Sequence, residues 1–315
     1  MSRPENLKQK VIVITGPTAT GKSTLGVRLA GSIDGEIVSA DSMQVYTHMD
    51  IGTAKPTVEE MCGIPHHMID FIPPREDYSV ARYVKDASEC IDDIFRRNKQ
   101  PIIVGGTGFY IDSLIAGRLF QPRGANDLRQ KLEAEYDSIG GEAMLIKLSE
   151  VDAEAATKLH ANDKKRIVRA LETFSATGKP ISRHDLESQA LPPRYDAIKI
   201  ALTFSDRATL YSRINRRVDD MMARGLEQEV ISLLEMNVSR SCTSMQAIGY
   251  KEISDAIIGG TEISPAVEKV KMESRRYSKR QLTWLRRDSD TKWLIWENVP
   301  DFESGVREIE TLMRK

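Results

Sequence analysis

Gly16-Pro17-Thr18-Ala19-Thr20-Gly21-Lys22-Ser23 reads G-x-x-x-x-G-K-[ST], the spacing of a phosphate-cradling P-loop. The glycines let the backbone turn its N–H groups inward, and a helix N-terminus behind the loop adds partial positive charge. Lys22 brings a full charge. The context fits, because the β-branched run Val11-Ile12-Val13-Ile14 precedes the loop and Ser23–Ala30 can form the helix after it. Alone, the motif points to ATP. It does not name the phosphate compound, nor say whether a phosphoryl group moves.

Two other segments carry chemistry on the same argument. Glu36–Ala40 reads as a short strand ending at Asp41, expected beside the P-loop strand. Asp41 can cap the following turn, or it can accept a proton from a nucleophile beside a bound diphosphate. Pro101–Val104 reads as a strand running into Gly105-Gly106-Thr107-Gly108, where Thr107 is either a turn residue or a ligand contact. Arg213 and Arg217 lie one helical turn apart, a spacing that can grip one diphosphate, although surface arginines would look the same. His66-His67 follow Pro65 in an expected loop, without a third metal ligand at hand, so a structural role is expected.

Strands that alternate with amphipathic helices, such as the one over 80–97, predict a parallel, doubly wound α/β sheet. Such sheets bind ligands beyond the carboxyl ends of their strands. The P-loop, Asp41-Ser42 and Gly105–Thr107 all fall there. From about Arg118 to Tyr195 the chain changes to short polar helices, over 127–136, 152–159 and 163–177, and Pro192-Pro193 marks the exit. Ala197–Leu202 reads as a strand returning to the sheet. The expected organisation is a catalytic core from 1–117 and 198–315, with an all-helical insertion over 118–197. A last strand near 292–296 and a closing helix from about 303 complete it.

Two basic clusters stand out. Lys164, Lys165, Arg166 and Arg169 crowd the start of the helix opening at Asp163, where cations oppose the macrodipole and a polyanion would relieve them. Residues 271–287 hold Lys271, Arg275, Arg276, Lys279, Arg280, Arg286 and Arg287 against a single acid, Glu273. Like charges four apart on a helix cost roughly 0.2–0.5 kcal/mol per pair. Tyr277 and Trp284 among them suit stacking on RNA bases, and a solvated helix face is the bland alternative.

Composition sets the frame. The 315 residues carry 45 Lys and Arg against 46 Asp and Glu, a net charge of −1, so nucleic-acid binding must come from local patches. The three cysteines, Cys62, Cys90 and Cys242, follow no metal or disulfide spacing, which predicts a reducing cytoplasm. No run approaches the ~20 apolar residues of a membrane helix, and no signal peptide is visible. A monomer is expected.

Taken together, these strings resemble the tRNA dimethylallyltransferase (isopentenyltransferase) family. The matches are the P-loop, D-S-M-Q-V-Y at 41–46, D-I-G-T-A-K-P at 50–56, G-I-P-H-H at 63–67 and G-G-T-G-F-Y at 105–110. They continue with N-D-K-K-R-I-V-R-A-L-E at 162–172, Q-A-I-G-Y-K at 246–251 and K-R-Q-L-T-W-L-R at 279–286, in family order. The zinc finger of eukaryotic members is not in this sequence, so the bacterial type fits, and Met43 falls where the family varies.

The resemblance implies a P-loop NTPase-like sheet and transfer of a dimethylallyl group from dimethylallyl diphosphate to the exocyclic amine of the adenosine just 3′ of a tRNA anticodon. It implies diphosphate contacts at Gly16, Thr18, Ala19, Thr20, Gly21, Lys22, Ser23, Arg213 and Arg217, with Mg²⁺ on Ser23. Asp41 would be the general base and Thr107 would bond near the leaving oxygen. It further implies tRNA contacts at Asp41, Ser42, Met43, Gln44, Thr107, Arg129, Lys165, Arg166, Arg169, Gln246, Lys251, Arg276, Lys279, Arg280 and Arg286, the helical insertion clasping the anticodon stem-loop. Three rivals share parts of this pattern: a P-loop small-molecule kinase, a prenyltransferase of free adenine nucleotides, and a non-enzymatic RNA-binding switch.

Overall fold

A computed structural model describes residues 8–120 and 126–314. Residues 1–7, 121–125 and 315, which the sequence assigns to the core and the insertion, lie outside the described residues. Six parallel strands form one sheet: β1 (Gln9–Thr15), β2 (Gly35–Ser39), β3 (His66–His67), β4 (Gln100–Val104), β5 (Tyr195–Phe204) and β6 (Lys292–Trp296). Their order is β3-β2-β4-β1-β5-β6. The interior strand β1 is apolar on both faces, as a sheet covered by helices requires; Val11 to Ile14 are fully buried.

Helix α1 (Lys22–Ser32) follows the P-loop, α2 (Val58–Met61) precedes β3, α3 (Val80–Arg96) precedes β4, and α4 (Gly108–Ala116) follows it. After β5 come α10 (Arg207–Ala223), α11 (Leu226–Glu235), α12 (Tyr250–Gly259) and α13 (Ile263–Leu285), and α14 (Phe302–Met313) closes the fold. The main core joins Leu25 and Leu29 of α1 to Ile37, Ile102, Leu202 and Trp296 of the sheet and Ile309 of α14.

Two expectations about strand placement change. β4 lies between β2 and β1, so Asp41 ends a strand one removed from the P-loop strand rather than its neighbour. Ile102 of β4 pairs with Ile12 on one side and Ile37 on the other, a choice made by long-range packing that chain order does not encode. His66-His67 form a short edge strand rather than a loop, pairing with Ile37 and Val38.

The chain divides into two compact units, one running to Gly117 and resuming at Arg194, the other Arg118–Pro193. The return to the sheet comes earlier than the sequence boundary at 198, because β5 starts at Tyr195. That residue is buried and pairs with Gln9. The second unit is all helical, with α5 (Asn126–Ile139), α6 (Gly141–Val151), α7 (Ala153–Thr157), α8 (Lys164–Thr177) and α9 (Ile181–Ala190). It has its own core, built on Leu132, Met144, Leu148, Ile167 and Leu171.

His67 has a structural partner. Its Nε2 lies 2.7 Å from Glu36 Oε2, and Arg97 Nη2 donates to the same oxygen at 2.8 Å. The Glu36 side chain is 1% exposed. The Arg97 hydrogen bond holds its carboxyl down at about 2, and His67 helps. A carboxylate depressed on folding adds stability above its unfolded pKa, and that stability drains as pH falls towards the folded value. Glu36→Gln should therefore lower unfolding free energy by roughly 3 kcal/mol at pH 7. Denaturant titrations at pH 7 and pH 3 should show most of this difference at the higher pH; equal losses at both would contradict the ion-pair account.

Candidate active site

The P-loop leaves β1 through Gly16, whose φ of +138° favours glycine; a Cβ there would sit 2.4 Å from the Leu202 carbonyl oxygen. Thr20 Oγ1 donates to the Pro17 carbonyl at 2.8 Å, and Trp296 Nε1 donates to the Thr20 carbonyl at 3.0 Å. Gly21 caps α1 in the left-handed conformation, and no acid occupies the helix's first turn. The positive end of α1 therefore faces the loop without a counter-charge from its own sequence.

Lys22 Nζ donates to the Pro17 carbonyl at 2.7 Å. Burial, reinforced by the neighbouring Arg217 charge, pushes its ammonium down to about 7, and the Asp41 carboxylate offsets part of that shift. Arg217 is lowered as well, first by burial. Its Nε is a buried donor without a hydrogen-bond partner among the described residues. Two crowded cations, one with an unmet donor, are what an anion site looks like without its anion.

That crowding gives a pH prediction. Above about pH 7 the free Lys22 is largely neutral, whereas a bound diphosphate would hold it protonated. Binding of inorganic diphosphate at pH 8 should therefore take up roughly one proton, and affinity should weaken as pH rises above 7. Calorimetry in two buffers of different ionisation enthalpy reads this uptake. It should vanish in Lys22→Met; equal uptake in that variant would assign the proton elsewhere.

Asp41 follows β2, and its Oδ1 accepts the Met43 N–H at 2.9 Å. The turn-capping and chemical readings coexist, since Asp41 also lines the cavity. Thr107 Oγ1 accepts the Ser42 N–H at 3.2 Å and lies 3.5 Å from Ser42 Oγ, while the Thr107 N–H donates to the Ala40 carbonyl at 3.1 Å. These bonds tie the ends of β2 and β4 into one edge. Gln44 is clamped from both sides: its Oε1 accepts from Ser39 Oγ at 3.1 Å and its Nε2 donates to the Thr53 and Ala54 carbonyls at 3.3 and 3.2 Å.

The P-loop, Asp41–Gln44, the 52–55 segment, Arg217 and α13 enclose one cavity of about 810 Å³. Of the residues read from sequence, Thr18, Ala19, Gly21, Lys22, Ser23, Asp41, Ser42, Met43, Gln44, Arg217, Gln246 and Arg280 line it. Gly16, Thr20 and Thr107 do not line it. Arg213 does not line it: its Nε donates to the Ala19 carbonyl at 3.1 Å and its guanidinium rests 5.0 Å from the centre of the Phe204 ring.

The basic helix α13 splits by role. Lys271 pairs with Asp219 at 2.7 Å, Arg275 Nη1 donates to Asn215 at 2.5 Å, and Arg276 pairs with Glu273 at 2.7 Å. Asp219 on α10 and Glu273 on α13 itself thus relieve part of the like-charge crowding. Lys279, Arg280 and Arg286 stay exposed. Trp284 is not presented for stacking on RNA, because its Nε1 donates to Asp112 at 2.7 Å and its ring packs on Gly108. Tyr277 is the aromatic that reaches the site. It lines the cavity, and its hydroxyl interacts with Thr107 and Gln281, while burial and the Asp41 charge push its phenol up to about 12.

Gln246 Nε2 donates to the Arg240 carbonyl at 2.5 Å, and Lys251 is exposed on α12. In the helical unit, Lys165 and Arg166 are exposed, Arg169 pairs with the buried Glu172 at 3.0 Å, and Arg129 pairs with Glu133 at 3.0 Å. Among the described residues no cluster of three His, Cys, Asp or Glu could hold a metal, and no helix is long and apolar enough to cross a membrane.

A parallel sheet with a P-loop and an acid around one cavity, and a threonine on the adjoining strand end, defines a protein of the P-loop fold with a cradle of the kind that takes a phosphate-bearing ligand. Comparison with known proteins narrows this class. A family model described as IPP transferase matches residues 44–288, and one described as Isopentenyl transferase matches residues 9–71. The chain is 48% identical to the tRNA dimethylallyltransferase of Caldanaerobacter subterraneus subsp. tengcongensis over 93% of this chain and 94% of that one. The crystal structure of the full-length tRNA isopentenylpyrophosphate transferase from Bacillus halodurans superposes with a TM-score of 0.72 at 42% identity, covering 98% and 96%. A eukaryotic dimethylallyltransferase acting on tRNA gives 0.82 at 30% identity, covering 96% of this chain and 77% of that one. This chain belongs to the tRNA dimethylallyltransferase family.

Proposed function

We propose that this enzyme transfers the dimethylallyl group of dimethylallyl diphosphate to the exocyclic amine of the adenosine 3′-adjacent to a tRNA anticodon, releasing diphosphate. The observation that carries this reading is the single cavity in which an anion cradle with an unmet Arg217 donor shares its walls with Asp41. A kinase would need the same cradle, but it leaves α13 and the basic start of α8 without a task.

The P-loop amides, Lys22 and Arg217 hold the diphosphate of the donor. The adenine amine attacks the first prenyl carbon as the bond from that carbon to the diphosphate oxygen breaks, and Asp41 takes the amine proton. Charge builds on the leaving diphosphate, where the cradle's fixed dipoles and cations offset it. Thr107 and Tyr277 stand beside the reacting groups, and Arg213 holds the loop's Ala19 carbonyl rather than the diphosphate itself. A stacked adenine cannot reach Asp41, so the base must leave its stack at a cost of a few kcal/mol.

Among the described residues no carboxylate cage forms, which would suit a Mg²⁺ ion that keeps waters and takes phosphate oxygens. Ser23, open to the cavity in the first turn of α1, fits as its protein ligand. When bound, the ion neutralises diphosphate charge.

Lys279, Arg280 and Arg286, with Gln246 and Lys251, supply tRNA contacts near the cavity; Arg129, Lys165, Arg166 and Arg169 supply them from the helical unit. The 41–44 turn meets the target nucleotide. A cytoplasmic monomer completes the reading; Cys62, Cys90 and Cys242 are all free thiols, which fits a reducing compartment.

Two experiments bear on the acceptor. Prenyl transfer should proceed to an anticodon stem-loop and not to AMP; transfer to AMP alone would move the assignment to free nucleotides. Arg276→Ala with Arg280→Ala should weaken stem-loop binding and reduce the slope of log affinity against log salt by about 1–2. An unchanged slope would remove α13 from the RNA contact.

A further inference from the structure

Residues 52–55 form part of the cavity wall, yet the loop that carries them is held from across the fold. Glu229, in the first turn of α11, sends its carboxylate into three consecutive backbone amides. Its Oε2 accepts the N–H groups of Asp50 at 2.9 Å and Ile51 at 2.8 Å, and its Oε1 accepts that of Gly52 at 3.1 Å. The Tyr250 hydroxyl donates to Oε1 at 2.5 Å. Four donors on one carboxylate make a strong charge-assisted clamp. Gly52 permits the approach: a Cβ there would meet the Tyr250 ring at 2.4 Å.

The clamp does not end at the loop. The Thr53 and Ala54 carbonyls that follow hold the Gln44 amide, whose other end is fixed by Ser39. Gln44 closes the turn that opens with Asp41. Next along the loop, the buried Lys55 ammonium bonds the Tyr46 carbonyl at 2.9 Å, Asp50 at 2.5 Å and Asp70 at 2.6 Å. One chain of hydrogen bonds thus runs from α11 through the 50–54 backbone to the turn bearing the proposed base.

We propose that Glu229 is a positioning residue for the transfer reaction, fixing the Asp41–Gln44 turn through the 50–54 backbone and Gln44. This rests on the prenyl-transfer reading. Glu229 touches no reacting atom, so its loss should lower turnover and leave the P-loop's grip on the prenyl diphosphate intact. Misplacing a catalytic group by about 1 Å can cost up to about 10²-fold in rate.

Hydrogen exchange and kinetics on Glu229→Gln test the proposal together. Peptides spanning 41–54 should exchange at least about tenfold faster, while the P-loop keeps its protection. The kcat for an anticodon stem-loop should fall about 10–100-fold with little change in KM for dimethylallyl diphosphate. Tyr250→Phe, which removes one donor and keeps the ring, should move both readouts the same way by less, and it carries the test if Glu229→Gln fails to fold. Glu229→Gln with Gln44→Ala should be no slower than the slower single variant. Unchanged exchange over 41–54, multiplying rate effects, or a lower melting temperature alone would overturn the role. Wild-type enzyme inactive on the stem-loop would instead overturn the prenyl-transfer reading, and the exchange result would still decide whether Glu229 holds the turn.

Discussion

Asp41→Asn lowers the single-turnover rate of prenyl transfer by about 10²–10⁴ and leaves stem-loop affinity nearly unchanged. Asparagine keeps an Oδ1 acceptor for the Met43 N–H, so the turn survives and only the capacity to take a proton is lost. The variant thereby separates the two roles that one side chain fills. Rapid-quench kinetics with enzyme in excess reads the chemical step directly, free of product release. Unchanged chemistry with a large loss of RNA binding would make Asp41 a recognition residue rather than a base.

Arg217→Ala is the second large effect. Its Nε is buried without a partner among the described residues, and its charge acts on Lys22. Without ligand, this cation is a cost to the fold; with diphosphate leaving, it is a preorganised counter-charge. Removing such a donor typically costs about 10²–10³ in rate. Loss of the neighbouring cation should also raise the Lys22 pKa, so the proton uptake on diphosphate binding shrinks while thermal stability holds or improves. A variant that melts lower and retains its rate would show Arg217 to be a structural residue.

How far these residues were legible follows from the range of the forces that place them. The P-loop is local: Gly16, Gly21, Lys22 and the strand before them fall within one strand-turn-helix unit, and their spacing carries the geometry. Strand β4 and the Gly105–Thr107 turn were equally readable from a short apolar run meeting glycines. What lay outside local reach was pairing. The position of β4 between β2 and β1, and of His66-His67 on the sheet edge, comes from contacts among distant segments. Arg213 and Arg217 share one helical spacing, yet the structure turns one to the Ala19 carbonyl and the other to the cavity. Spacing alone cannot separate them.

Aromatic residues in α13 make the same point. Tyr277 and Trp284 looked alike as stacking candidates, but Asp112 and Gly108 of the β4–α4 region claim Trp284. Glu229 carried no signal at all, being an ordinary acid in the first turn of a helix. The three amides it meets are nearly 180 residues away in sequence, at separations of 177 to 179. Family strings such as D-I-G-T-A-K-P mark one end of that contact without revealing its partner.

A phosphate cradle here serves the transfer of carbon. Dimethylallyl diphosphate labelled with ¹⁴C in the prenyl group and ³²P in the diphosphate, incubated with enzyme, Mg²⁺ and an anticodon stem-loop, tests it in one reaction. Carbon transfer leaves ¹⁴C in the RNA, on the adenosine 3′ of the anticodon, with ³²P released as free diphosphate. Label of ³²P in the RNA, or transfer of the γ-phosphate of ATP in a parallel reaction with no ¹⁴C in the stem-loop, would contradict it.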